Sequence, residues 1–171
     1  MNKFVVKFAA LSLLALLALS VQSNDGFFGG GAKYNGENRG KPVMPAQINA
    51  TWQQECAACH LAFPPGLLAA ASWTKIMAGL DKHFGADASL SPSQASEINA
   101  FLMKSASNRW SAKTAPLRIT ESAWFKTKHR ESEVAISVWR RPSVKGPWNC
   151  GACHAGAGKG DFNEHSVRIP K

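Results

Sequence analysis

Hydrophobic and polar positions along the chain predict several short helices and no strand. Apolar side chains recur at three- and four-residue spacings within residues 73–84, 95–102 and 122–129, and this is the period of an amphipathic helix. No segment alternates apolar and polar residues over the length of a strand. The expected fold is therefore mainly α, with few short helices.

Capping boxes mark the starts of two of these helices. Thr51 begins the sequence Thr-Trp-Gln-Gln, and Ser91 begins Ser-Pro-Ser-Gln, so each side chain can accept a hydrogen bond from the third residue beyond it. The helix behind Thr51 is expected to carry residues 56–60 and to end at the Pro-Pro-Gly sequence of residues 64–66.

Two further helices are expected to place a histidine on their apolar face. One is capped by Ser72, ends at Gly85 and carries His83 on its buried stripe. The other follows Thr120, runs roughly from Glu121 to Glu131 and groups three residues on one face: Ser122, Phe125 and His129.

The N-terminal segment has the layout of a secretory signal peptide. Lys3 and Lys7 precede an apolar run at residues 8–19, which small residues follow. A transmembrane anchor would need about 20 apolar residues. We therefore expect a signal peptide at residues 1–23, an extended Gly- and Pro-rich leader at 24–50 and one folded domain at 51–171. The mature protein is then periplasmic and not stably inserted in a membrane.

The positive charge of the chain is unevenly distributed. The formal net charge is +9, and residues 104–145 contain ten Lys and Arg against three Glu. Two interpretations stay open for this basic half: a well-solvated surface, or a docking face for an acidic partner. Export argues against nucleic acid as that partner.

The four cysteines occur in two motifs that share one pattern. Cys56-Ala-Ala-Cys59-His60 and Cys150-Gly-Ala-Cys153-His154 are both C-x-x-C-H, the attachment signature of c-type haem. The two thiols of each motif would form thioethers with the haem, and the histidine would bind the iron from the proximal side. Two covalent c-type haems are therefore expected.

Other uses of the cysteines agree less well with this spacing. Disulfides within each pair would close only very short loops. The paired half-sites of a zinc centre usually lie within about 20 residues of each other, whereas these lie far apart. A thioredoxin-like pair expects a strand and a helix around it and does not require the histidine.

Three histidines remain as distal ligands for the two irons. His83 is the candidate for the first haem, because its apolar helix follows the first motif. For the second haem, His129 on its helix is preferred over His165, which lies shortly after His154. Methionine is the other common sixth ligand, and three methionines beyond the signal segment are available: Met44, Met77 and Met103.

Four stretches of the sequence resemble the bacterial periplasmic dihaem cytochrome c family. The resemblance implies haems with two histidine ligands each. It also implies electron exchange with a membrane b-type cytochrome and a small oxygen-binding c-type haem protein. The stretches lie within residues 50–171 and are Trp52 to Pro65 around the first motif, Gly79 to Gly85, Arg118 to Phe125 leading to His129, and Cys150 to Phe162.

An electron carrier is the function expected, because an iron with two protein ligands has no position for oxygen, peroxide or substrate. The alternative is a small haem enzyme, a peroxidase or a nitrogen-oxide reductase, with one open iron and acid or base groups beside it. Asp161, Glu164 and His165 could supply such groups. A haem sensor or storage subunit is a third alternative, and it would exchange electrons slowly.

The charge asymmetry predicts which haem is reduced first. Nearby cations favour the addition of an electron, so the second haem, in the basic half, should have the higher reduction potential. A redox titration that resolves both haems measures this order. A higher potential at the haem bound by Cys56 and Cys59 would contradict the expectation.

Overall fold

The computed structural model describes residues 42–108 and 114–171, and within these ranges the chain is mainly helical. Single 3-10 turns join the helices, and the described ranges contain two isolated β-bridges but no strand. This confirms the mainly α fold expected from the sequence. The helices are α1 (Ala50–Cys56), α2 (Ala70–Met77), α3 (Pro92–Ser105), α4 (Ala123–Lys128) and α5 (Ile136–Trp139).

The core lies where α1 and α2 pack against α3. Ile98 and Leu102 of α3 are 0% and 1% exposed, and they meet Trp52 of α1 and Trp73 of α2 in one cluster. The Trp73 indole nitrogen donates a hydrogen bond of 2.7 Å to the carbonyl of Pro65, so its one polar group is satisfied inside the core. This cluster fixes the positions from which the first cysteine motif and the following turns extend.

The capping box predicted for α3 is confirmed. The Ser91 hydroxyl accepts a hydrogen bond from the Gln94 backbone nitrogen, and the Gln94 side chain accepts one from the Ser91 backbone nitrogen. Pro92 occupies the first helical position, where its missing N–H leaves no hydrogen bond unmade.

The prediction for α1 was wrong at both ends. Asn49 is the N-cap, because its side chain accepts a hydrogen bond of 2.6 Å from the Trp52 backbone nitrogen. The Thr51 hydroxyl instead donates to Glu97 of α3. The helix ends at Cys56, so Cys59 and His60 follow it in a turn. The first motif therefore begins on a helix and leaves it.

The helix predicted from Ser72 to Gly85 also differs. Ala69 is its N-cap, and the α-helix ends at Met77. Gly79 follows, and glycine lowers helix stability by about 1 kcal/mol relative to alanine. A 3-10 turn at Leu80–Lys82 then leads to His83, which lies outside the helix on which the sequence placed it.

The helix predicted behind Thr120 is shorter than expected. A 3-10 turn at Ile119–Glu121 precedes it, and Ser122 is its N-cap, with a hydroxyl that accepts a hydrogen bond of 3.3 Å from the Phe125 backbone nitrogen. Ser122 and Phe125 are buried, and His129 follows the last turn. The face shared by these three residues is confirmed.

The end of the predicted leader packs on the folded part. Val43 and Met44 contact the core cluster, and the Val43 carbonyl accepts a hydrogen bond of 2.8 Å from the Gly66 backbone nitrogen. The signal peptide and leader residues 24–41 lie outside the described residues and stay predictions. Within the described ranges no helix combines the length and the apolarity that crossing a membrane requires.

Substitution of Gly66 tests this close approach. A Cβ at Gly66 would lie 2.5 Å from the Val43 Cα, so we expect Gly66→Ala to lower the free energy of unfolding by about 1–3 kcal/mol through overpacking against backbone. Gly79→Ala is the matched control, because its Cβ would meet nothing closer than 3.7 Å. Chemical denaturation of the holoprotein measures both. Equal stabilities of the two variants would contradict the packing.

Candidate functional site

The first motif places its histidine at the surface end of a short turn. Cys56 is half-buried at the end of α1, and Cys59 and His60 are exposed. The His60 Nδ1–H donates to the Leu61 carbonyl at 2.7 Å, since a carbonyl can only accept. The lone pair of His60 is therefore on Nε2, the atom that is free to bind a metal.

His83 lies opposite His60. The two ring centroids are 6.1 Å apart, and the ring planes differ by 23°. The turn that carries His83 is closed by a hydrogen bond of 2.8 Å from the Ala88 nitrogen to the Leu80 carbonyl. His83, the distal ligand predicted for the first haem, thus lies near His60, in a turn and not on the helix that the sequence predicted.

The second motif lies in a 3-10 turn at Cys150–Ala152. The His154 backbone nitrogen donates to the Cys150 carbonyl at 2.8 Å, which fixes the histidine beside its cysteines. The His154 side chain is partly buried, and its Nδ1 has no hydrogen-bond partner within the described part of the chain.

His129 lies opposite His154. Their ring centroids are 6.2 Å apart, with planes at 74°. The His129 ring stacks on Phe125 at 4.0 Å, and its Nδ1–H donates to the Phe125 carbonyl at 3.1 Å. The α4 face thus sets both the position and the tautomer of His129, and its Nε2 is left free.

The spacing of both pairs fits an iron between the rings. Two metal–nitrogen bonds of about 2 Å each, together with the half-widths of two imidazoles, place ring centroids about 6 Å apart. In both motifs the two thiols stand four residues and one residue before the proximal histidine. The residues present therefore fit two c-type haems, each between a motif and a histidine from elsewhere in the chain.

Burial keeps three of these histidines neutral. It is the main cause that lowers the pKa of His83, of His129 and of His154. For His83 the charges of His60 and Arg118 add to the effect. For His129 the hydrogen bond with the Phe125 carbonyl opposes it. Neutral imidazole is the form that binds a metal.

The thiols are not set up for redox or zinc chemistry. Burial raises the pKa of Cys56 and of Cys150 to about 11, whereas a reactive thiolate needs a lowered pKa. None of the four cysteines forms a disulfide. In the described ranges no three His, Cys, Asp or Glu side chains gather as a metal-binding group. Both alternatives to haem are therefore disfavoured.

At each candidate haem site, one cation and one carboxylate shift the pKa of a histidine or a cysteine. Arg118 acts on His83 and Glu55 on Cys56, and both shift the pKa of the neighbouring group. At the second motif the charge of Arg141 lowers the pKa of Cys153, against its burial, and Asp161 raises that of His154. Arg118 of the basic half thus acts at the first site.

The alternative distal ligands have various surroundings. His165 is exposed in a 3-10 turn, held by its backbone nitrogen to Asn163. The Met103 sulfur accepts a hydrogen bond from the Thr74 hydroxyl at 3.5 Å, and Met77 packs against the core. Met44 lines a cavity of about 300 Å³ beside α1, which His60 also lines.

The segment after the second motif reaches the first. A Cβ at Gly158 would touch the Leu61 side chain at 3.4 Å, and one at Gly160 would lie 2.6 Å from the Met44 Cβ. Leu61 directly follows His60. The two candidate haem sites are therefore neighbours, a relation that no sequence pattern indicated.

Comparison with known proteins agrees with this geometry. The family model "Dihaem cytochrome c" matches residues 52–162. The dihaem cytochrome c from Rhodobacter sphaeroides is 38% identical, covers 67% of this chain and 97% of its own, and superimposes with a TM-score of 0.62. That from Shewanella baltica is also 38% identical, with 71% and 93% covered and a TM-score of 0.64.

A structure of the protein purified from Rhodobacter sphaeroides is 40% identical, with 68% of this chain and 98% of that chain covered and a TM-score of 0.57. No curated protein matches. The matched segment includes both cysteine motifs and both opposed histidines, and its four cysteines account for the covalent attachment of two c-type haems. This chain belongs to the dihaem cytochrome c family.

Proposed function

We propose that this protein transfers electrons through two haems, each held between two histidines. His60 and His83 are the ligands of the first iron, and His154 and His129 those of the second. The observation that carries the proposal is the pair of centroid separations, 6.1 Å and 6.2 Å. A haem iron in such a pair can cycle between the ferric and ferrous states.

The chain's own residues favour a carrier over a haem enzyme. An enzyme needs an acid or base aimed at an open iron. Near the second motif, the Glu164 carboxylate pairs with Lys128 at 3.1 Å, and Asp161 accepts from the Asn163 nitrogen at 3.0 Å. His165 is exposed. These groups have local structural roles or face solvent, which supports irons closed on both sides.

The adjacency of the sites supports passage of an electron between them. Gly158 approaches Leu61, and Gly160 has a positive φ of 74° beside Met44. Glycine at these positions lets the two backbones approach closely. Electron transfer through protein falls steeply with distance, so this approach favours rapid exchange between the haems.

The setting we propose is the periplasm. The signal-like segment at residues 1–23 and the family resemblance support export. The excess of Lys and Arg in residues 104–145 supports docking to acidic redox proteins. A membrane b-type cytochrome as donor and a small oxygen-binding c-type haem protein as acceptor are the partners that the resemblance implies. We propose no nucleic-acid partner, because the protein is expected to be exported.

The ring orientations predict two different spectra for the oxidised protein. Nearly parallel imidazoles donate into the same iron d orbital and split the d levels, whereas nearly perpendicular ones leave them close in energy. We expect a rhombic low-spin signal from the first haem and a highly anisotropic low-spin signal from the second. Low-temperature electron paramagnetic resonance measures both. A high-spin signal, or binding of carbon monoxide by the reduced protein, would support the haem enzyme instead.

Two histidine variants test the second ligand pair. His129→Ala should open the second iron, so the anisotropic signal is replaced by a high-spin one and the reduced protein binds one carbon monoxide. His165→Ala is the matched control and should leave both signals unchanged, because His165 is exposed and contacts no other ring in the described structure. The opposite result would make His165 the ligand.

A further inference from the structure

The residue after His83 has an unusual backbone conformation. Phe84 has φ of 52° and Gly85 has φ of 99°, and the Ala86 nitrogen donates to the His83 carbonyl at 3.1 Å. Two central residues with positive φ define a type I′ turn, which normally contains Asn-Gly or Asp-Gly. Phenylalanine is disfavoured there. Phe84 is also 47% exposed, so burial in the core does not account for it.

The Phe84 ring connects His83 to Arg118. The Phe84 and His83 rings make a T-shaped contact, with centroids 4.8 Å apart and planes at 63°, and the Arg118 guanidinium lies over the Phe84 ring, 4.0 Å from its centroid. Arg118 also approaches Glu121 at 3.8 Å, and the adjacent Ile119 is buried. A chain of contacts therefore runs from the core through Arg118 and Phe84 to His83.

The two distal histidines are held differently. His129 has the hydrogen bond from its Nδ1 to the Phe125 carbonyl and the stacked Phe125 ring. The His83 ring makes no hydrogen bond within the described part of the chain, and its turn lies outside any α-helix. Phe84 and Arg118 thus support the His83 ring, as Phe125 of α4 supports the His129 ring.

We propose that Phe84 and Arg118 are positioning residues that hold His83 on the iron of the first haem. The inference rests on the proposed ligation by His83. The strain of Phe84 places an aromatic edge against the imidazole, and the cation–π contact with Arg118 keeps that edge in place. Without them His83 dissociates from the iron more often, and an external ligand can enter.

Phe84→Asn separates this role from a merely structural one. Asparagine favours the positive φ that the turn needs, so the turn is kept and thermal stability should be unchanged or higher. Loss of the ring should nevertheless allow carbon monoxide to bind to the reduced first haem, which binds none in the wild type, because the contact that holds His83 is lost. Phe84→Tyr keeps the ring and should behave as the wild type.

Arg118→Gln removes the cation and should likewise allow carbon monoxide to bind to the reduced first haem. Arg130→Gln is its matched control, because Arg130 follows His129 and pairs with Glu133 but stacks on no ring in the described structure. That variant should bind carbon monoxide no faster than the wild type. In the oxidised variants, the low-spin signal that loses intensity identifies the affected haem.

The outcomes distinguish the positioning role of Phe84 and Arg118 from the closed first iron on which it rests. If the wild type binds no carbon monoxide and Phe84→Asn and Arg118→Gln bind none either, the positioning role is overturned and the electron carrier stands. If the wild type itself binds carbon monoxide at the first haem, the closed iron is wrong. The inference is supported if Phe84→Asn and Arg118→Gln bind carbon monoxide at the first haem. Phe84→Tyr and Arg130→Gln should then bind none, like the wild type.

Discussion

The structure depends on holding two imidazole rings about 6 Å apart, twice, in a small chain. An iron accepts axial nitrogens only within a narrow range of distance and direction. A cysteine motif fixes one ring of each pair through short local bonds. The opposite ring comes from a separate segment, so the segments must meet correctly to complete either site. Most of the irregular backbone follows from this requirement.

The helices are accordingly short and serve as supports. α3 is the longest of the described helices, and it carries the core residues Ile98 and Leu102 without contributing a haem-binding side chain. α1 ends within the first motif, and α4 ends just before His129. We infer that two haems take the place of part of the apolar core that a chain of this size would otherwise need. Longer helices would displace the turns that carry the four opposed histidines.

The sequence predicted the parts of the site that depend on local pattern. Both C-x-x-C-H motifs, the α3 capping box and the apolar face shared by Phe125 and His129 can be read from spacing alone. The predicted helix boundaries were less accurate, because the Asn49 side chain caps α1 two residues before Thr51 and Gly79 interrupts an otherwise continuous stripe. Periodicity records which residues are apolar and contains little information on such competition.

The sequence did not predict which distant segments contact each other. Arg118 belongs to the basic half of the chain, yet it acts on His83 of the first site. Phe84-Gly85 has no turn signature, since asparagine and not phenylalanine marks a type I′ turn. These features arise from which segments meet in three dimensions.

The contact of Gly160 with Val43 and Met44 has a consequence for how the protein is made. Gly160 packs against residues that precede it by more than a hundred positions, and contacts between such distant residues form slowly during folding. Synthesis delivers Cys56 and Cys59 long before the segment that packs beside them. The surroundings of the first motif are then completed by residues that emerge much later, and loss of the segment around Gly160 would open the first site as well as the second.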